Sequence, residues 1–222
     1  MKQRITALID TTSSYSILAI LCDDEVIDIK VVEEPKTLLK EIGYFSIRLR
    51  STMETFEEFE FEVVLCIGPS GFSGGRIGVA TGRSLALGWG VDVIVFDHLE
   101  MLSHITSEAY PHEVLFEDAR GGEVHIFKSM KGSTASSTVD FEEGYQIIGS
   151  ARSVLLVGGY PRGMVFGEDR QISQIGVSEL PIVPNIGPFI ESIRDRERVS
   201  PDRLQVKYGR DYVAVANFEK LR

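Results

Sequence analysis

The chain has 222 residues, 43% hydrophobic and 25% charged, an ordinary balance for a globular protein with one large core or two small ones. No stretch approaches the roughly 20 uninterrupted apolar residues of a membrane-spanning helix, and the opening MKQRITALIDTT runs straight into a strand pattern rather than a leader's apolar core. A cytoplasmic location is expected. With 23 Lys+Arg against 33 Asp+Glu the formal charge is −10, which works against binding of a polyanion by this chain alone.

In chain order, 5–9, 16–22 and 25–32 are short β-type runs joined by turns, which predicts an antiparallel meander. From Lys36 to about Phe56, Leu38, Leu39, Ile42, Phe45, Leu49 and Met53 recur at spacings of three and four, the signature of an amphipathic helix. The continuous apolar run 62–67 fits a parallel strand covered on both faces. A Gly-rich loop then leads into a helix from about Gly74 to Trp89, with Ser73 as its expected N-cap. A strand over 91–96 follows, and Asp97 with Glu100 forms a capping-box pattern for the next helix. The second half predicts a hairpin over 113–119 and 123–129, a buried strand over 154–157, a helix near 188–196 and a strand over 212–218. This is a β-β-β-α-β-α unit followed by a truncated relative.

The chemistry-bearing residues are few. Cys22 and Cys66 sit inside apolar runs and read as small buried hydrophobes. The loop 68–75 is not a phosphate-binding P-loop, because no Lys-Ser/Thr follows it, and it reads as a tight strand-to-helix turn. No Gly-x-Ser-x-Gly nucleophile elbow is present. His98 has Leu102, not a second imidazole, one turn on, and His104 lies on a different face. A lone imidazole falls short of the three or four ligands of a metal site, so His98 reads as a surface or cap-region residue and no metal is expected. Gly74, Gly78, Gly82 and Ala86 repeat every four residues and form a nearly bare helical stripe. Two interior glycines cost about 2 kcal/mol of helix stability, which predicts close approach of another backbone, either a partner's or the chain's own sheet. Basic residues gather at Arg194, Arg196, Arg198, Arg203, Lys207 and Arg210, interleaved with acids.

Four blocks carry a resemblance. LIDTTSSYSILAIL, GPSGFSGGRIGVATGRSLALGWGVDVIVFDHLEML, VLFEDARGGEVHIF and VKYGR are similar, in order, to the opening hairpin, the Gly-rich loop and its helices, the second-lobe hairpin and the C-terminal motif of the TsaB (YeaZ-like, or glycoprotease-like) family. The chain thus resembles that family over nearly its whole length. The resemblance implies an α/β fold of the actin and sugar-kinase (ASKHA) type, with one lobe over 1–97 and a smaller one over 98–222. It also implies a non-catalytic subunit that supports threonylcarbamoylation of adenosine in tRNA. The expected partners are the catalytic paralogue TsaD and the small ATPase TsaE, or a second copy when TsaD is absent. tRNA would be met only through the complex, and no cofactor is expected. Asp10, Thr11 and Thr12 stand where ASKHA ATPases hold phosphate and Mg²⁺, but no second phosphate loop accompanies them, so they read as a vestigial turn. The partner interface is expected along Gly74, Gly78, Gly82 and Ala86. A free-standing ASKHA ATPase or a glycoprotease-like metalloenzyme is the alternative.

Overall fold

The computed structural model describes residues 2–70, 72–120, 123–130, 133–158 and 171–208. Its first sheet has the order β3-β2-β1-β4-β5, from β1 (Gln3–Asp10), β2 (Ser16–Cys22), β3 (Glu25–Val32), β4 (Phe59–Gly68) and β5 (Val93–Asp97). The meander β1-β2-β3 is antiparallel, whereas β4 and β5 add in parallel. Parallel addition requires crossovers, supplied by α1 (Leu38–Met53) and α2 (Phe72–Trp89).

Alternation along each strand divides the sheet's residues between two cores. Ile5, Ala7 and Ile9 of β1, with Val63 and Leu65 of β4, face Phe45, Leu49 and Met53 of α1 and Val79 and Ala86 of α2. Leu8, Val64 and Cys66 point the other way, toward α3 (His98–Thr106) and α5 (Ile182–Ile193). Both faces are covered, which is why these strands read as unbroken apolar runs.

The second sheet, of order β10-β9-β6-β7-β8, repeats the first. β6 (Val114–Arg120), β7 (Glu123–Met130) and β8 (Ser133–Asp140) form the meander, α4 (Phe141–Ser150) crosses over, and β9 (Ser153–Val157) and β10 (Gln171–Ile175) add in parallel. The second unit is therefore a full five-stranded counterpart of the first, not a truncated one. β8 escaped the sequence reading because STASSTVD lacks large apolar residues at alternate positions.

Local corrections have local causes. α2 begins at Phe72, so Ser73 lies inside the helix rather than capping it. Asp97 does cap α3, its Oδ1 accepting from Leu99 N at 3.0 Å, but Glu100 pairs with Arg196 instead of turning back. α5 starts six residues earlier than predicted and keeps Pro188 inside it, because Ile182, Ile186, Phe189, Ile190 and Ile193 bury one face. After α5 the chain returns to the first lobe, where Val199 bridges Val93 and Lys207 N donates to Ile67 O at 2.6 Å. The strand expected over 212–218 lies outside the described residues.

Candidate functional site: a buried ion cluster beneath the inter-lobe cleft

Asp10 ends β1 on the face that carries Leu8, and Glu117 lies two residues after Leu115 on the inner face of β6. His98 opens α3 between them. All three are buried, with at most 4% of each residue exposed. Asp10 Oδ2 lies 2.5 Å from His98 Nδ1, and Glu117 Oε2 lies 3.3 Å from His98 Nε2. Tyr15 Oη is 3.4 Å from the same Nε2. The other oxygens are engaged as well. Asp10 Oδ1 accepts from Thr12 N at 3.1 Å and Thr12 Oγ1 at 2.7 Å, and Ser13 Oγ donates to Glu117 Oε1 at 2.5 Å.

The electrostatics follow from this geometry. Burial alone would push the imidazole of His98 down, but Asp10 and Glu117 on either side outweigh it and hold it well above its ordinary value. Burial likewise raises both carboxyls, and the imidazolium overcomes it, leaving Asp10 and Glu117 below their ordinary values. His98 is thus an internal cation shared by two anions. Burial, with the added field of Glu117 and Asp10, drives the Tyr15 hydroxyl up. Burial, with Asp10, does the same to the Cys66 thiol, so both stay protonated.

The sequence reading placed His98 at a surface or cap. It does open a helix, but it is a buried member of a polar cluster. Glu117 and Tyr15 were missed altogether. The available signal was a carboxylate closing the apolar run Val114, Leu115, Phe116, since a charge on a buried face must find a partner.

Above the cluster lies a cleft of about 200 Å³ between the β1–β2 turn and the β6–β7 hairpin, lined by Thr12, Ser13, Ser14, Ser73, Asp118 and His125. It corresponds to the phosphate position expected for Asp10, Thr11 and Thr12. Thr11 and Thr12 line it, whereas Asp10 is 1% exposed, with Oδ1 bonded to Thr12 and Oδ2 to His98. Among the described residues, Asp10, Cys66 and His98 bring donor atoms within 4.8 Å of one another. The 2.5 Å Asp10–His98 spacing is that of a charge-assisted hydrogen bond.

The glycine stripe is also relocated. A methyl group on Gly74 would overlap the Thr11 carbonyl oxygen, one on Gly78 would overlap Thr11 Oγ1, and one on Gly82 would lie 3.0 Å from Leu65 Cδ2. Ala86 is fully buried in the same core. The close approach predicted from Gly74, Gly78, Gly82 and Ala86 is real, but what approaches is the chain's own Thr11, by its backbone at Gly74 and its side chain at Gly78, and the Leu65 side chain of β4 at Gly82. The outward surface lies elsewhere. On α1, Leu39 is 69% and Ile47 63% exposed, with Tyr44 beside them. Gly43, one turn from each, has nothing within 4 Å of its missing side chain. On α2, Leu87 is 58% exposed.

The late basic stretch is largely consumed by intramolecular pairs. Arg194 makes a two-pronged pair with Asp24 and approaches Glu62, Arg196 grips Glu100, Arg198 reaches Glu62 at 2.9 Å and Lys207 reaches Asp97 at 3.0 Å. Arg210 lies outside the described residues.

No protein-family model and no curated relative matches the chain. Solved structures do. An uncharacterised Pseudomonas aeruginosa protein with similarity to peptidase YeaZ superposes with a TM-score of 0.65 at 17% identity, over 95% of this chain and all of that one. YeaZ from Pseudomonas aeruginosa gives a TM-score of 0.64 at 15% identity, over 94% of this chain and again all of the other. No helix among the described residues is long and apolar enough to cross a membrane. Two repeated sheets, a cleft between their hairpins and near-complete coverage agree: the chain has the YeaZ/TsaB-like, two-lobe ASKHA fold.

Proposed function

We propose that the chain is a non-catalytic subunit that docks onto a TsaD-like paralogue and so supports threonylcarbamoylation of adenosine in tRNA. The observation that carries this reading is the outer surface of α1 and α2. Both helices cover one face of the first sheet, so their outer sides look the same way. Leu39, Tyr44 and Ile47 stand exposed there around a bare Gly43, with Ala80, Ser84 and Leu87 exposed on the neighbouring helix. A glycine inside a helix costs about 1 kcal/mol relative to alanine. Nothing among the described residues repays that cost at Gly43, whereas a partner helix laid across it would. Large exposed apolar groups clustered on one helix pair mark an association surface.

The chain's own chemistry supports an accessory role. Asp10, the residue that would carry Mg²⁺ in an ASKHA ATPase, is held by His98 and Thr12. Arg194, Arg196 and Arg198 are committed to acids of the same chain, and the net charge is −10, so tRNA is reached through the paralogue. A TsaE-like ATPase would join the pair, and the same face would form a homodimer when the paralogue is absent. The test is co-expression with the TsaD-like paralogue of the same organism, followed by size exclusion. A 1:1 complex is expected, and two separate peaks would overturn the reading.

A further inference from the structure

We infer that the Asp10–His98–Glu117 cluster is an inter-lobe latch that, through Thr11, sets how α2 is seated, so that lobe closure and the α1–α2 surface are energetically linked. The part concerning that surface rests on the docking role proposed above; the latch does not.

The latch follows from where its members originate. Asp10 belongs to the first sheet and Glu117 to the second, and His98 at the head of α3 is the cation both share. Among the described residues no Lys or Arg pairs with either carboxylate. Without the imidazolium, two anions from different lobes would face each other in a low-dielectric interior, where repulsion is weakly screened. Ser13, which lines the cleft above, hydrogen-bonds Glu117 across it and so adds a second tie between the two hairpins.

The coupling follows from Asp10's neighbour in sequence. Thr11 Oγ1 donates to Gly74 O at 2.8 Å, tying the β1–β2 turn to the first turn of α2. Gly74 and Gly78 rest on Thr11 so closely that no methyl group fits between. A contact without compressible side chains transmits displacement rather than absorbing it. Movement of Asp10 away from His98 therefore shifts the seat of α2, whose far end carries the exposed Leu87. By reciprocity, a partner that fixes α2 favours the closed lobes.

The test is hydrogen exchange of the isolated chain, which needs no partner. With β3 as internal reference, His98→Gln should speed local exchange about tenfold in both residues 114–118 of β6 and residues 74–82 of α2. Glu117→Gln keeps one ion pair and should give the same regional pattern at smaller amplitude; it carries the test alone if His98→Gln fails to fold. Faster exchange in β6 with α2 unchanged overturns the coupling. No change in either region overturns the latch. Failure of the wild-type chain to bind the TsaD-like paralogue would count against the docking role and leave these outcomes as they stand.

Discussion

Replacing Gly78 by alanine should destabilise the chain, although alanine is the better helix former. Propensity alone predicts a gain of about 1 kcal/mol at an interior helical position. The new methyl group, however, would occupy the space of Thr11 Oγ1 and touch Ile9 Cγ2 at 3.8 Å. Thr11 can escape only by giving up its 2.8 Å hydrogen bond to Gly74 O, a loss of about 1 kcal/mol, or α2 must shift and strain its packing by about 1–3 kcal/mol. After the propensity gain the expected net loss is up to about 2 kcal/mol, which lowers Tm by up to about 8 °C in a chain of this size. Gly43→Ala meets nothing within 4 Å and should raise Tm by about 2–4 °C. The sharper check is the Thr11→Ala background. There the obstructing hydroxyl is gone, so Gly78→Ala should turn from destabilising to stabilising. Thermal unfolding followed by circular dichroism measures all five proteins. If Gly78→Ala stabilises the native background as much as Gly43→Ala does, α2 is not seated on Thr11 and the packing described here is wrong.

Four further outcomes follow from the cluster and the charge distribution. His98→Gln leaves two buried carboxylates without their shared cation and should cost about 3–5 kcal/mol near neutral pH, measured by urea unfolding. The pH dependence has two limbs, because the folded values move in opposite directions. The contribution of His98, raised in the fold, is complete below the ordinary 6.5 and fades as pH climbs through the raised value. Those of Asp10 and Glu117, lowered in the fold, are complete above the ordinary 3.8 and 4.5 and fade as pH falls through the lowered values. The cluster's own contribution should therefore be flat between about 4.5 and 6.5, while His104, His112 and His125, lowered by burial, make stability rise with pH across that window, and a wild-type profile that declines from pH 5 to 6.5 would contradict the assignment. Isothermal titration with ATP–Mg²⁺ should give no saturable heat with the isolated chain; micromolar binding abolished by Asp10→Asn would favour the ATPase alternative. Filter binding should find no sub-micromolar affinity for tRNA at about 150 mM salt, and Arg203→Glu should change nothing, since tight binding would require basic contacts that are sparse here.

The first lobe was legible in sequence because its sheet is covered on both faces, so β1, β2 and β4 appear as apolar runs and α1 as a clean three-four spacing. The second lobe was harder to read. β8 is a Ser/Thr strand, and β10 is a five-residue strand of which only Ile175 is buried. The glycine stripe was read as a site of close approach and expected to meet a partner, but the spacing of Gly74, Gly78 and Gly82 cannot say whether a partner or the chain's own Thr11 and Leu65 approach. Gly43 did not stand out, because a single glycine on a helix lacks a pattern, and only the structure reports the open space around it. His98 was judged by the absence of an imidazole at Leu102, one turn along. Its actual partners are 88 residues before it and on the next sheet, a convergence that only the topology creates. The late arginines looked like a patch in sequence because Asp24, Glu62 and Glu100, which neutralise them, are distant in the chain.

The central claim is docking of the chain onto a TsaD-like paralogue through the outer face of α1 and α2, and Gly43→Leu tests it most directly. The added side chain enters open space, so the monomer should keep its circular dichroism spectrum and its melting temperature within a few degrees. Co-expressed with the paralogue, the wild-type chain should elute as a 1:1 complex, and Gly43→Leu should elute alone because leucine holds the partner helix away. A wild-type chain that never co-elutes, or a folded Gly43→Leu variant that co-elutes as well as wild type, would contradict the account.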